Sequence, residues 1–320
     1  MEVVPNIFLV KLPLPSKIGH VNCYLLQGGN GWSIIDTGLN HPASNCVWEQ
    51  TLTGLNIKYG DIEGIYVSHM HPGHYGASGW LQELTGAQVY MSRCEIEKVQ
   101  QTWKKGRTSV PVVGELLKEN GIPAVLLTEV LDSINQTLTA VQPHPDLSPL
   151  PEGGEVTIGG RGFEVVKAPG HSDGHISFFC RDEGILFSGD NLLSPDSSGI
   201  SLWPTSHPNP LELFLTSLEL QGGLPVNIVL PGHGSAFSDC AGRVADLKKH
   251  YRLRLDRVAQ LAGTGATAYQ ICLKLLGENT APGEMLFLLT ETLAHLAYLE
   301  SKSRVTSRLE CGVVTYRKAE

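Results

Sequence analysis

Three histidines lie within a short stretch that directly follows a mostly apolar run of the chain. His69, His71 and His74 come after Ile62–Val67, whose composition is typical of a buried strand. A strand that leads into a turn lets alternate residues point to one side, so that His69 and His71 can share a metal and His74 can face a neighbouring one. Neutral imidazole suits zinc, iron, nickel and copper. The spacing therefore predicts a metal site at the end of a strand.

The same pattern recurs further along the chain. Short apolar runs end in glycine together with one histidine or aspartate, and buried strands that carry polar residues at their tips build a rigid core with a reactive edge. Because the pattern occurs repeatedly, a metal centre is favoured over unrelated loop histidines. The later tip residues are His171 after Phe163–Lys167, Asp190 after Ile185–Phe187, and His233 after Ile228–Leu230.

These motifs resemble those of the metallo-β-lactamase-fold hydrolase superfamily, whose signature is His-x-His-x-Asp-His followed by a lone His, a lone Asp and a last His. The segments 22–26 and 34–38 are similar to the opening strands of that family and to its Asp-Thr-Gly turn. The resemblance implies zinc as the metal, with one or two ions per chain, although iron or manganese is possible. It also implies that Asp36 orients ligands without binding metal. The implied ligands are His69, His71 and His171 for the first metal, His74 and His233 for the second, and Asp190 as a bridge between them.

One position departs from the family signature. Gly73 stands where the motif has its aspartate, a carboxylate that normally ligates the second metal. The second site would keep His74, His233 and the shared Asp190, and three protein ligands with an open position can still bind zinc, although more weakly without that negative charge. Asp173 is a nearby carboxylate, but its Ser-Asp-Gly context favours a capping role.

The strand-and-tip pattern occurs in two halves and predicts an α/β fold, an αββα sandwich over residues 1–238 with the metals at one edge. Strands are predicted at Ile7–Leu12, His20–Leu26 and Trp32–Asp36, and a helix at Tyr75–Thr85. Residues 92–150 have helical spacing. In the resembled family, insertions at this place lie over the active site and shape the substrate pocket.

The remaining residues, 239–320, predict a small winged-helix-like domain that resembles the C-terminal domain of the lactamase-β-2-like subgroup. Helices are predicted at Arg243–Leu261, from Thr267 as N-cap, and at Glu284–Ser301, followed by a hairpin. The third helix carries no Arg or Lys before Lys302, whereas a helix that reads DNA needs such side chains. We therefore expect no sequence-specific DNA binding. A packing or homo-oligomer contact is the expected role.

Composition limits the classes of partner. The net charge of −8 over 320 residues argues against coating nucleic acid or an anionic membrane. No apolar run approaches the ~20 residues of a membrane-spanning helix, and the first residues lack the basic and apolar regions of a secretory signal. The seven cysteines are scattered without a Cys-x-x-Cys pair, as in proteins of a reducing compartment. A cytoplasmic location is the expectation.

The function implied by the resemblance is zinc-dependent hydrolysis of a small ester, thioester or lactone, a small-molecule acyl substrate. A metal-bound hydroxide would attack the acyl carbon, since coordination lowers the pKa of water to ~7. Asp190 is the candidate catalytic residue, because it can steer protons at the site. Two alternatives stay open. One is a nuclease acting on single-stranded RNA or another phosphodiester, an activity found in the same subgroup. The other is a degenerate, weakly active or non-catalytic binding protein, because Gly73 replaces the aspartate of the motif.

Overall fold

Two β-sheets pack face to face, and helices cover their outer sides. The computed structural model describes residues 1–15, 19–105, 110–151, 153–195, 198–276 and 282–319. Side chains of both sheets meet in a shared apolar layer, in which Tyr24 of one sheet and Phe187 of the other have ring centroids 4.9 Å apart. Fully buried aromatic rings such as Phe163 and Phe178 each stabilise this layer by about 1.5–3 kcal/mol. The predicted αββα sandwich is confirmed.

The first sheet has its strands in chain order, β1 to β7. Strands β1 to β4 pair antiparallel, whereas β4 to β7 pair parallel. The carboxyl ends of β4, β5 and β6 therefore lie at one edge of the sheet. The strands are β1 Glu2–Val4, β2 Ile7–Pro13, β3 His20–Gln27, β4 Trp32–Ile35, β5 Ile62–Tyr66, β6 Gln88–Met91 and β7 Leu147–Pro149.

The second sheet has the order β12-β11-β10-β9-β8. Its β11 and β12 pair parallel, and the other neighbours pair antiparallel. The end of β9, the start of β10 and the ends of β11 and β12 therefore share one edge. These strands are β8 Glu155–Ile158, β9 Arg161–Lys167, β10 Ile176–Cys180, β11 Ile185–Gly189 and β12 Ile228–Pro231.

Helices form the two outer layers and the insertion. Trp48 of α1 and Leu81 of α3 pack on the outer face of the first sheet, and Phe214 of α7 packs on the outer face of the second. A 3₁₀ turn at Tyr59–Asp61 and a π-helical turn at Gln100–Lys104 are also present. The helices are α1 Pro42–Gly54, α2 Pro72–Tyr75, α3 Ser78–Thr85, α4 Arg93–Val99, α5 Val110–Glu119, α6 Ala124–Thr139, α7 Pro210–Gly222, α8 Cys240–Ala262, α9 Ala268–Leu276 and α10 Pro282–Ser301.

The predicted helix Tyr75–Thr85 is confirmed at its end but begins only at Ser78, because a turn at Gly76–Ala77 separates it from the short helix Pro72–Tyr75. The Ala77 N–H donates to the carbonyl of Gly38 at 2.8 Å, and the His74 carbonyl accepts from the Thr37 N–H at 2.8 Å. In a continuous helix these two groups would have formed hydrogen bonds within the helix, but here they bond to the turn after β4. These two hydrogen bonds fix the position of His74 relative to the turn that carries Asp36.

The C-terminal helices share one apolar cluster with the second sheet and with the insertion. The ring of Tyr251 in α8 packs against Phe214 of α7, with centroids 5.2 Å apart. Leu289 and Leu293 of α10 belong to the same cluster as Leu117 of α5. The three helices and the hairpin of β13 (Val305–Glu310) and β14 (Val313–Lys318) occur in the predicted order. The assignment as a winged helix and the division at residue 238 stay predictions.

One local signal of the C-terminal region is confirmed. Thr267 caps α9, because its hydroxyl accepts the Gln270 N–H at 3.2 Å and the Gln270 side chain accepts the Thr267 N–H at 3.0 Å. Within the described ranges, no helix combines the length and the apolar character needed to cross a membrane.

Candidate metal centre

All of the sequence-predicted site residues meet at one edge of the sandwich. Because β4 and β5 are parallel neighbours, Asp36 and His69 lie side by side at their ends. The parallel pair β11 and β12 brings Asp190 next to His233 in the same way. His171 follows β9 and reaches the centre from the second sheet.

The donor atoms lie close enough to share metal ions. His71 Nδ1 is 2.8 Å from His171 Nε2, and His74 Nε2 is 3.4 Å from His233 Nε2. The Asp190 carboxylate lies 3.2 Å from His74 Nε2, 3.3 Å from His233 Nε2 and 3.5 Å from His171 Nε2. The donor atoms of His69, His71 and His171 all lie within 4.8 Å of one another, and so do those of His69, His74 and Asp190.

Four of the histidines are oriented with Nε2 toward the centre. Their outward Nδ1 atoms lie within hydrogen-bond distance of an oxygen, which can hold a ring proton on Nδ1, so that Nε2 is the atom available to a metal once it carries no proton. Ser68 Oγ can donate to Asp36 Oδ2 and accept from His69, so the chain of hydrogen bonds is consistent. The four contacts are His69 to Ser68 Oγ at 3.0 Å, His74 to Asp36 Oδ2 at 2.8 Å, His171 to the Gly199 carbonyl at 2.8 Å and His233 to the His20 carbonyl at 2.8 Å.

Electrostatics also favour a bound cation. Burial, together with neighbouring histidines, lowers the pKa of His71 to about 4 and that of His171 to about 3, so both rings are neutral. Burial alone would lower the pKa of His74 as well, but the carboxylates of Asp190 and Asp36 raise it to about 10. That raised pKa reports a strongly negative environment, in which a divalent cation can take the place of the proton.

The residues fit a zinc centre. Zn–N bonds of 2.0–2.1 Å in a tetrahedral site place two donor nitrogens about 3.3–3.4 Å apart, close to the 3.4 Å between His74 and His233. His69 Nε2 is buried without a hydrogen-bond partner, and an orphaned nitrogen in a cluster of donors suits a metal ligand. The assignment of these side chains as ligands stays a prediction.

Comparison with known proteins identifies the family. The family profile of the metallo-beta-lactamase superfamily matches residues 17–233. The chain belongs to the metallo-beta-lactamase superfamily. The structure of a metallo-beta-lactamase family protein from Thermus thermophilus superposes with a TM-score of 0.90, at 30% identity over 99% of this chain and 100% of that one.

Two curated relatives carry names that describe an activity. Probable metallo-hydrolase YqjP from Bacillus subtilis (strain 168) is 25% identical over 320 residues, which is 98% of each chain. Thioesterase pkgB from Emericella nidulans is 31% identical over 238 residues, which is 74% of this chain and 53% of the relative. Both relatives are hydrolases by name, and the family profile places this chain in the metallo-beta-lactamase superfamily of hydrolases.

Glu95 at the start of α4 is a buried carboxylate of the metallo-beta-lactamase site that the sequence did not reveal. Its Oε2 accepts the Met70 N–H at 2.6 Å, between His69 and His71 in sequence. Its Oε1 accepts the Ser172 hydroxyl at 2.7 Å and the Gly174 N–H at 2.8 Å, next to His171. Glu95 therefore joins the two loops that carry the predicted ligands of the first metal.

We expect Glu95→Gln to weaken zinc binding about 10- to 100-fold, the usual range when a partner behind the ligands is lost. The amide nitrogen of glutamine is a donor and must face one of the three donors that Glu95 now accepts. Zinc affinity, measured by competition with a chelator, checks this expectation. Glu291→Gln is the matched control, because Glu291 is a largely buried glutamate facing Arg254 in the C-terminal helices. Equal zinc affinity in both variants would contradict the positioning role.

His175 lies four residues after His171, and the sequence alone assigns it no role. Its Nε2 accepts the backbone N–H of Asp190 at 3.1 Å, and the ring is buried. The buried His175 ring therefore supports the backbone of the central carboxylate. His175 directly precedes β10 and follows His171 by four residues. This short spacing could have indicated that both histidines lie at the same edge of the sheet.

Two other polar residues near the centre lie outside the cluster of donors. The Asp173 carboxylate pairs with Lys98 Nζ at 2.6 Å and accepts the His207 N–H at 3.0 Å, so it is not available as a replacement ligand. His207 is a loop residue, as expected, because its Nδ1 accepts the Asn209 N–H at 3.1 Å.

Gly73, the departure from the family signature, has room for a side chain. An added Cβ would meet only the methyl carbons of Leu14, at 3.7 and 3.8 Å, and the backbone is not in the left-handed region. Sterics and backbone strain therefore do not account for the glycine.

Gly73→Asp is expected to raise the affinity for the second metal by at least about tenfold. Loss of a side chain that only supports a ligand already changes metal affinity by that much, and a carboxylate that binds the metal directly should contribute no less. Hydrolytic activity should rise most at low metal concentration, where a second site without a carboxylate at position 73 would be partly empty. Metal titration against a chelator, with thermal unfolding, is the measurement. Gly73→Asn supplies a control of the same size without the charge. If both variants bind the second metal as the wild type does, the missing aspartate is irrelevant to metal binding.

Proposed function

We propose that this metallo-hydrolase acts on a small ester, thioester or lactone and that zinc is its metal. The observation that carries the proposal is that His74, His171 and His233 each place Nε2 within 3.5 Å of the Asp190 carboxylate. His69 and His71 lie in one group of donor atoms with His171. The names of the Bacillus and Emericella relatives support hydrolysis, and the latter supports a thioester substrate. When bound, zinc would polarise the acyl carbonyl and lower the pKa of water.

Asp190 is the proposed catalytic residue. Burial alone would raise its pKa, but His233 and His74 hold the pKa of Asp190 well below its usual range. The carboxylate is therefore ionised at neutral pH, and we propose that it orients the attacking water by accepting its hydrogen bond. The backbone carbonyl of Asp190 accepts the Ser198 hydroxyl, which anchors the loop that carries the carboxylate.

The cavity beside the centre gives the nuclease alternative no support. Lys98 is the only Lys or Arg among its described lining residues. Its ammonium group pairs with Asp173 at 2.6 Å and also donates to the Thr205 carbonyl. Aromatic rings line the cavity, but a path for a polyanionic strand also needs a series of available cations, which the described lining lacks. A small acyl substrate is therefore the better-supported proposal.

The test is to remove metal with a chelator, restore zinc, manganese or iron(II), and assay panels of acyl thioesters, aryl esters, lactones and single-stranded RNA. We expect zinc to restore hydrolysis of at least one class of acyl substrate. Metal binding without turnover on any panel would favour the non-catalytic alternative. Salt-sensitive RNA cleavage without acyl hydrolysis would favour the nuclease.

A further inference from the structure

A cavity of about 200 Å³ opens beside His71 and His171. Its walls come from three parts of the chain that are distant in sequence. Trp103 lies in the π-helical turn after α4, Ile134 and Leu138 lie in α6 of the insertion, and Leu286 and Phe287 lie in α10. The C-terminal helices therefore complete a pocket that begins at the metal centre.

The lining of this cavity is mainly apolar. The Trp103 indole N–H donates to the Met70 carbonyl at 2.9 Å, so its polar atom is already bonded and its ring is left as apolar wall. Trp203 packs edge-on against Phe287, with centroids 6.3 Å apart. Lys98 and Asp173 are the lining residues of the described chain with a full charge, and they pair with each other. A charged group in the cavity would lose its hydration without a free counter-charge to replace it.

The position of the cavity indicates which part of a substrate it holds. A carbonyl at the metal centre has an acyl group on one side and a leaving group on the other. The polar thiol arm of a typical carrier thioester does not suit an apolar cavity of about 200 Å³, whereas a hydrocarbon acyl chain does.

We propose that this cavity binds the acyl group of the substrate, that this group is an uncharged apolar chain, and that α10 limits its length. The inference rests on the proposed acyl hydrolase function and adds the substrate class. Phe287 is the expected length-determining residue, because its side chain lines the cavity and is still 58% exposed at the rim. Ile134 of α6 lines the same cavity and provides an independent position from which to fill it.

The experiment compares two series of thioesters with zinc-loaded full-length protein. In the first, N-acetylcysteamine carries acyl groups of increasing length. In the second, acetyl groups are carried by alkanethiols of increasing length. The value of kcat/KM should rise about fourfold per added methylene in the first series until the cavity is full, as expected for burial of each methylene. In the second series, kcat/KM should change little with the length of the alkanethiol.

Two variants test the walls. Phe287→Ala should move the preferred acyl length upward, and Ile134→Phe should move it downward by roughly two methylenes, a relative change on the order of tenfold in kcat/KM. Leu309→Ala is the control, because Leu309 is 63% exposed in the C-terminal hairpin and does not line the cavity. Thermal unfolding verifies that each variant is folded, and Phe287 is exposed enough to be replaced without loss of the core.

The outcomes separate this inference from the proposed function. Hydrolysis with no dependence on acyl length, or a length dependence that neither variant shifts, would overturn the acyl-cavity proposal and leave the hydrolase intact. Absence of hydrolysis on every substrate would count against the proposed function. In that case, calorimetric binding of octanoate and acetate still tests the cavity. Octanoate should bind more tightly and Ile134→Phe should abolish the difference, and equal binding of the two would overturn the proposal.

Discussion

A chain that ends after residue 239 is expected to be insoluble or unfolded. The deletion would remove α8, α9 and α10, whose apolar stripes include Leu247, Tyr251 and Leu289, each at most 1% exposed. It would also expose Phe214 and Leu218 of α7 to water. Each such side chain contributes about 1.5–3 kcal/mol when buried. Several of them together exceed the total stability of about 5–15 kcal/mol that domains have.

The deletion would also disturb the metal centre itself. The Tyr251 hydroxyl donates to the Ser198 carbonyl, and the Ser198 hydroxyl donates to the Asp190 carbonyl. Arg243 Nε donates to the Leu193 carbonyl at 2.6 Å. The first helix of the deleted segment therefore holds the loop that follows Asp190. A truncated chain that stayed soluble is expected to lose activity for this reason.

Expression of residues 1–239, with solubility and thermal unfolding as readouts, checks this prediction. Leu253→Ala in the full-length chain is the control, since Leu253 belongs to α8 but is 55% exposed. The control should unfold within a few degrees of the wild type, because exposed substitutions usually change stability by less than about 0.5 kcal/mol. A soluble truncation with unchanged activity and thermal midpoint would show that the C-terminal helices are an independent unit.

Much of the fold and site could be predicted because the signals are local. Apolar runs that end in glycine and histidine indicated the strand tips, and the tip residues His171, Asp190 and His233 do meet at one edge. Thr267 was identified as a helix cap from its neighbours alone. Such features depend on residues close in sequence.

The parts that could not be predicted depend on contacts between distant segments. Glu95 follows Ser92 by three residues, the spacing of a capping box at the start of a helix, and a glutamate there is usually solvated. Its burial is decided by Ser172 and Gly174, which pack on it from the other sheet. The break at Gly76 arises in the same way, from the turn after β4. The role of Phe287 in the pocket follows from the docking of α10, which no local pattern in the sequence reports.

Replacement of His171 by alanine is expected to remove the tightly held metal and to reduce hydrolytic activity by more than about 100-fold. Loss of a side chain that only supports a metal ligand usually costs up to about that much, and loss of a ligand should cost more. His171 Nε2 lies 2.8 Å from His71 Nδ1 and 3.5 Å from the Asp190 carboxylate, between the two groups of donors. Its Nδ1 is fixed by the Gly199 carbonyl at 2.8 Å. The ring is therefore oriented before any metal binds, and alanine leaves the first group with two histidines.

The matched control is His207→Ala, because His207 belongs to the neighbouring loop and its Nδ1 accepts the Asn209 N–H. Elemental analysis of both purified variants, together with activity at added zinc, decides the assignment. We expect His207→Ala to keep the metal content of the wild type. Full occupancy in the His171 variant would show that His171 is not a ligand. Since His175 is fixed by the Asp190 N–H, the first metal would then have to rest on His69, His71 and the Asp190 carboxylate.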